Sequence, residues 1–348
     1  MPACVLLVAV LSLLSIASPQ PVQGGGAAAS QKREFLQELL RFERGPQLRP
    51  LWIPRAEELK YKVFVDLPVL GETAAGRVTL SAGVDPYIAG LAAPGKGEKS
   101  APQWTGWVKS VATGSALGYE LQHELKSRLL PQEWPAIYYT DTQRGSETRN
   151  RELKLGVLDS GWSGWYRNDG HCKDCDNKEH FVDSAWLWAK PSHCTERKCR
   201  NLGHRLWREP QKRSVPAGIT DMLSAVYYAR ALVREKRSED SILILDKQRL
   251  WQVHLSVGGT KTVEVPGGKV ECVEVRLRSA VPEGEPPSKE NFQGLFGLQG
   301  AIRIWLDRQY GVPVRIEGEF PITLLSTELD VSVQLEQYSG TPTGFALR

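Results

Sequence analysis

Apolar and polar positions alternate with a period of two along most of this chain, and only two segments carry the 3.6-residue period of a helix. Residues 59–65 read as a strand and 71–81 as its partner, with Arg77, Thr79 and Ser81 set against Val78 and Leu80. Segments 115–125, 136–142 and 149–158 fit further strands. Between them, residues 86–107 are rich in Gly, Pro, Ala and Lys without periodicity, which predicts a long loop presenting Trp104 and Trp107 to a partner. The first helical segment is 30–44: Ser30 is a plausible N-cap, Phe35, Leu36, Leu39 and Leu40 form one stripe, and Gly45-Pro46 stops it.

The second half is more regular. Thr220 is placed to cap a helix from Asp221 to about residue 236, with Met222, Leu223, Val226, Tyr227, Ala229 and Arg230 at helical spacing. Strands at 241–246, 249–257, 261–265 and 269–278 follow, with Gly258-Gly259 and Pro266-Gly267-Gly268 as hairpin punctuation. Segments 301–307 and 312–319 pair around Gly311, and 324–338 is a long closing strand. Hairpins succeeding one another without helices predict a mainly β (α+β) fold: a curved antiparallel sheet or open half-barrel with a central helix. Ile302, Ile304 and Leu306, then Val312, Val314 and Ile316, then Val331, Val333 and Leu335 give that sheet an apolar face that something must cover. The helix from Asp221 covers part of it and the helix from Ser30 is the candidate for the rest. A cavity left between them would suit an acyl chain.

The amino-terminal residues set the compartment. Residues 5–17 are small or aliphatic and uncharged, the length of a signal-peptide core and too short to span a bilayer. Ser15 and Ala17 offer one cleavage site, Val22 and Gly24 another, so residues 1–24 are expected to leave as a signal peptide, together with Cys4. No later apolar run approaches 20 residues, and the expectation is a periplasmic or secreted chain without a transmembrane span: an N-terminal helix and linker at 25–58, then a β-rich domain at 59–348. The net charge is +4, but residues 190–213 alone hold eight Lys or Arg against two Glu. That local excess is better matched to a nearby anionic thiolate centre than to nucleic acid, which would require a basic footprint over a whole face.

The same region carries the chain's most specific chemistry. His171-Cys172-x-x-Cys175-x4-His180 is followed by His193-Cys194-x4-Cys199-x4-His204, which gathers four of the six cysteines and four of the six histidines into 34 residues. Zinc wants four ligands at tetrahedral spacing, and Cys172, Cys175, Cys194 and Cys199 can supply them, with His180 and His204 as substitute ligands or ordinary packed residues. Two disulfides are the rival, because an exported protein meets an oxidising environment. A thioredoxin-like role is a weaker third, since no strand-to-helix entry lowers the Cys172 pKa, and haem attachment fails because Asp176 follows Cys175. Trp162, Trp165, Trp186, Trp188 and Trp207 are expected to build a small core around this clasp.

Several segments also resemble a known family. Tyr61 with Gly71-Glu72-Thr73-Ala74-Ala75-Gly76, the run from Asp221-Met222-Leu223-Ser224-Ala225 to Arg230, the strand Gly268-Lys269-Val270-Glu271-Cys272-Val273, and Ile304-Trp305-Leu306-Asp307 before Val312-Pro313-Val314 are similar to the bacterial exported family catalogued as domain of unknown function 3108. The resemblance implies a β-rich exported domain of unassigned activity, shaped like the half-barrels that carry lipoproteins. It also implies that residues 160–215, with the paired motif, are an insertion.

No nucleophile elbow, phosphate loop, dinucleotide fingerprint or His-Glu-x-x-His helix is present, and no catalytic residue is assigned. Asp221 and Ser224 sit where helix capping explains them, and Cys272, between valines on a strand, reads as an inert buried thiol. The expected function is an exported scaffold that binds or carries an apolar or envelope-derived ligand, a lipid or an envelope protein. A hydrolase acting on envelope polymer is one alternative. A structural or interaction module is another, favoured if the concave face is packed shut by its own side chains.

Overall fold

The computed structural model describes residues 53–67, 71–87, 103–116, 119–130, 136–146, 148–158, 161–171, 179–180, 192–193, 205–286, 292, 294–322, 327–342, 345 and 347. All belong to the unit Leu48–Arg348. The expected leader at 1–24 and helix at 30–44 lie outside the described residues.

Strands β1 (Ala56–Leu67), β2 (Gly71–Tyr87), β3 (Gln103–Ala116), β4 (Tyr119–Leu129), β5 (Ala136–Gly145), β6 (Arg149–Leu158) and β7 (Gly161–His171) come first. Four short strands follow: β8 (Glu179–His180), β9 (Ser192–His193), β10 (Arg205–Trp207) and β11 (Gln211–Ser214). Helix α1 (Met222–Arg234) precedes β12 (Glu239–Asp246), β13 (Arg249–Val265), β14 (Gly268–Ala280), β15 (Gln299–Asp307), β16 (Pro313–Ile322) and β17 (Thr327–Gly340). One antiparallel sheet holds all of these strands except β8 and β9, in the order β10-β7-β6-β5-β4-β3-β2-β1-β17-β16-β15-β14-β13-β12, with β11 also on β7.

The mainly β fold with a central helix is therefore as expected. Its first and last strands meet in the middle of the sheet, Leu59 opposite Tyr338 and Val65 opposite Val331. Both open edges consequently belong to the middle of the chain, and the connector before α1 bridges them. The Val215 amide donates to the Trp162 carbonyl on the β7 side at 3.0 Å, and the Thr220 amide donates to Leu243 of β12 at 3.0 Å. The Leu245 amide returns a bond to the Thr220 carbonyl at 3.3 Å. A small second core forms where the edges converge, from Leu153, Leu155, Tyr166, Val215, Ile219 and Leu245. Those backbone bonds tie both edge regions of the sheet to one short segment.

Helix α1 lies on the inner face. Its cap is Asp221, not Thr220: Asp221 is extended (φ −121°, ψ 169°), and its carboxylate accepts from the Leu223 and Ser224 amides at 2.9 and 3.0 Å. The Thr220 hydroxyl is buried without a hydrogen-bond partner among the described residues. An aspartate reaches two orphan amides with one oxygen and still offers the other, which Thr220 could not do. Ten of the thirteen helical residues are buried, so α1 is a core helix enclosed on nearly all sides rather than an amphipathic cover. Against it lie the inward-facing Ile302, Ile304, Leu306, Val312, Val314, Ile316, Val331, Val333 and Leu335, every one buried.

Three expectations are corrected. Residues 115–125 are not one strand: β3 ends at Ala116 and pairs back on β4 from Tyr119. The glycines at 258–259 do not turn a hairpin: β13 runs through them as one strand of 17 residues, with a register shift between Val257 and Thr260. Glu274 crowds the first of the two, where a Cβ on Gly258 would lie 2.7 Å from the Glu274 Oε2, while Gly259 faces open space. Trp104 and Trp107 are not on a loop but on β3, paired with Pro86 and Gly83 of β2. The Trp107 ring fills the space above Gly83, where a Cβ would meet it at 2.6 Å, so this aromatic side chain packs on its own sheet.

Candidate functional site

Of the residues expected to form the clasp, Cys172, Cys175, Cys194, Cys199 and His204 lie outside the described residues, and His180 is described only in its backbone. The flanking backbone is informative. His171 of β7 pairs with Arg205 of β10, Glu179 of β8 pairs with His193 of β9, and His180 pairs with Ser192. Two antiparallel ladders thus flank the two halves of the motif. Strands β7 and β11 are integral to the main sheet: β7 pairs with β6 from Leu158↔Gly161 to Arg151↔Asn168. Two of the expected clasp tryptophans pack there, Trp165 with Lys212 at 5.7 Å and Trp207 with Arg167 at 4.2 Å. Among the described residues no group of three or more His, Cys, Asp or Glu is arranged to hold a metal ion.

Three clusters of polar side chains stand out elsewhere. The first joins α1 to β1. Arg230 donates through both terminal nitrogens to Glu57, at 2.6 and 2.9 Å, and Tyr227 adds a hydroxyl bond to the same carboxylate at 3.3 Å. Both charged side chains are 0% exposed. Burial, together with the Glu57 charge, pushes the Tyr61 and Tyr227 phenols well above their ordinary range. Tyr61 donates its hydroxyl to the Pro313 carbonyl at 2.8 Å. The pattern reading placed Arg230 on the apolar face of the helix but found no partner for it; a cation among apolar helical positions was the one available signal that a buried carboxylate waited on another element.

The second cluster occupies the inner face of β4 to β6. His123 Nε2 lies 2.8 Å from Asp141 Oδ1, and Arg149 and Arg151 approach Asp141 Oδ2 at 3.3 and 3.4 Å. Burial alone would raise the Asp141 carboxyl; the His123 hydrogen bond and the charges of His123, Arg149 and Arg151 outweigh it and hold the group below the usual carboxylate range. Asp246, at the end of β12, is raised instead, chiefly by desolvation. Burial pushes the nearby Tyr166 up to about 12. A histidine oriented by a carboxylate is two members of a hydrolytic triad, but the hydroxyl on the same face of β4 is engaged elsewhere. Ser127 bonds Asp221 at 2.6 Å and lies 3.3 Å from Ser224, completing the capping cluster. Asp221 thus accepts four bonds, including one from the Ser224 hydroxyl at 2.8 Å, as a structural cap.

The third is a groove of about 640 Å³ on the outer face. It runs across β14, β15, β16, β17, β1 and β2, whose inward-facing neighbours are the core residues above. Arg276, Arg278, Arg303 and Arg315 line one side. Asp66, Glu72, Glu319 and Asp330 line the other. Glu317 lies between, accepting from Arg303 at 3.2 Å, Arg315 at 2.8 Å and the Trp305 indole at 3.3 Å. Glu72 is held by Ser332 at 2.9 Å and Gln334 at 2.7 Å. Strand alternation alone marks these residues as solvent-facing; only the sheet order shows that they converge.

Cys272 is fully buried on β14, and desolvation pushes its thiol up to about 12, as befits an inert packed cysteine.

Residues 196–330 match the profile of a family described as protein of unknown function (DUF3108). The match takes in Cys199, His204, the central helix and β12 to β16, and leaves residues 59–76 outside it. Among solved structures, a candidate lipoprotein of Parabacteroides distasonis is 11% identical, aligned over 84% of this chain and 98% of that protein, with a TM-score of 0.28. A candidate exported protein with YmcC-like fold from Bacteroides fragilis is 10% identical over the same shares, with a TM-score of 0.26. No curated protein matches the chain. Among the described residues no helix is long and apolar enough to cross a membrane.

Proposed function

We propose that this chain, which resembles the DUF3108 family through its central helix and the strands after it, is an exported β scaffold that binds an envelope partner on its outer surface. It does not carry an apolar guest inside. The observation that carries this reading is the burial of ten of the thirteen residues of α1 against the apolar inner face. An acyl chain would have to displace a helix anchored by Glu57 to Arg230 and by Asp221 to Ser127, and each anchor would then leave a buried charge unpaired. The uncharged run at 5–17 supports export.

In this reading Cys172, Cys175, Cys194 and Cys199 hold the segment between β7 and β10 as a small module, through one zinc ion or two disulfides. Two observations support a single shared clasp: β7 pairs with β10 and β8 with β9, so both halves of the motif are bracketed by the same antiparallel arrangement. A module of this size depends on such a staple because it buries too little apolar surface to fold alone.

Organic extraction of protein purified from its native envelope tests the central claim. The expected result is protein free of stoichiometric lipid; one lipid released per chain would overturn it. Non-denaturing mass spectrometry of the same sample separates the staples, one metal per chain for zinc against a mass about 4 Da below the reduced chain for two disulfides.

A further inference from the structure

We infer that the outer groove is a binding site for an extended peptide carrying an acidic and a basic side chain four residues apart. The inference rests on the surface-binding reading above and names the ligand class. Its basis is an arrangement that a sheet does not adopt for stability. Arg276 stands directly opposite Arg303, Glu319 opposite Asp330, and Asp66 opposite Glu72. Like charges directly opposite one another on a sheet destabilise it, and here three such pairs line one groove. The groove is divided by sign: the arginines lie on β14 to β16, and the carboxylates on β16, β17, β1 and β2.

Internal pairing leaves both signs in excess. Arg303 and Arg315 share the single carboxylate of Glu317, Arg276 takes Glu274 at 2.8 Å, and Arg278 makes no hydrogen bond or ion pair with the described residues. On the other side Glu72 is satisfied by neutral donors, while Asp66 and Asp330 have no cationic partner among the described residues. A ligand of one sign would relieve one side and be repelled by the other. A ligand of both signs relieves both.

The spacing selects its form. From Arg278 on β14 to Asp330 on β17 there are three inter-strand steps of about 4.8 Å, roughly 14 Å in all. An extended peptide advances about 3.4 Å per residue with side chains alternating between faces, so residues i and i+4 are about 14 Å apart and point the same way. Residues i and i+3 point to opposite faces and cannot both enter. The volume of about 640 Å³ falls within the roughly 300–1,000 Å³ usual for ligand sites.

The probe is a fluorescein-labelled, C-amidated pentapeptide of serine and alanine with glutamate first and lysine fifth, titrated by anisotropy against the full chain. Saturable binding is expected, weakened by 0.5 M salt, and at least about tenfold tighter than for the same composition with the charges three apart or with two lysines. Arg278→Gln and Asp330→Asn should each weaken it roughly fivefold, the upper range for one exposed ion pair. Asp330→Asn should at the same time raise Tm by relieving Glu319, a response that a merely structural aspartate would not give. Equal binding of the three-apart or the two-lysine peptide would overturn the inference, as would charge variants that bind unchanged or the absence of any binding. Such a failure with lipid-free protein leaves the surface-binding reading standing; a lipid-filled interior defeats that reading whatever the peptide does.

Discussion

The two halves of the inner face bury different material. Across β12 to β17 and β1 it is aliphatic row upon row, and the buried ion pair of Glu57 with Arg230 is shut away completely. Across β4 to β6 the same face carries His123, Ser127, Asp141 and Gln143 among its buried residues, with Arg149 and Arg151 partly open to solvent. The aliphatic half had to acquire a cover, because each exposed Val, Leu or Ile there would forfeit about 1.5–3 kcal/mol of burial. Helix α1 is part of that cover, and it packs on β3 and β4 of the other half as well. The polar half meets water only at its two arginines, and its charges are satisfied by neighbours on adjacent strands. Mutations should therefore cost most where water cannot reach the wounded group.

The largest effect is expected at the sealed pair. Arg230→Ala should lower unfolding free energy by about 3–5 kcal/mol in urea titrations, since it leaves the Glu57 carboxylate buried and unpaired. Replacing both partners, Glu57→Leu with Arg230→Met, should recover most of that loss. A single variant costing under about 1 kcal/mol would mean that water reaches this half as well, and the contrast would collapse.

In the polar half, Asp141→Asn should cost about 1–3 kcal/mol at neutral pH. Asp141 is held below its ordinary value in the fold, so its stabilisation is fully present above about pH 4 and lost as pH falls through the folded value. Thermal melts of wild type and variant should accordingly converge in acid. Curves that stay parallel down to pH 2 would remove Asp141 from the account.

The smallest effect carries the opposite sign. Asp246 is raised by burial, so its contribution favours the fold below the unfolded value near pH 4 and is lost as pH rises through the folded value. At pH 7 the ionised carboxylate is a liability, and Asp246→Asn should raise Tm slightly there and leave it unchanged near pH 3. A destabilising Asp246→Asn would show that Arg149 and Arg151 already compensate this carboxylate.

Much of the architecture was legible in local pattern. Alternation with a period of two located β1, β6 and β14 to within a few residues, and an unbroken helical period located α1, because strand and helix impose their periodicities residue by residue. The inner rows from Ile302 to Leu335 could be named for the same reason. Errors arose where a residue type answers to more than one neighbour. Gly258 and Gly259 allow a turn, yet β13 runs through them with a register shift and Glu274 on the next strand packs against Gly258. Trp107 looked available to a partner until Gly83 of β2 was found beneath it.

The candidate sites divide along the same line. Cys172, Cys175, Cys194 and Cys199 were visible in the sequence because metal and disulfide chemistry leaves short, regular spacings. The outer groove was invisible: Asp66, Arg276, Arg303 and Asp330 are scattered over 265 residues and each, taken singly, is an ordinary solvent-facing charge. The sequence by itself determined which residues alternate, which face water and where the thiols cluster. Only the tertiary structure decided that β1 pairs with β17, which brings Asp66 and Glu72 into the same groove as Asp330 and the arginines of β14 to β16. Strand order is a property of long-range hydrogen bonding, and no local period encodes it.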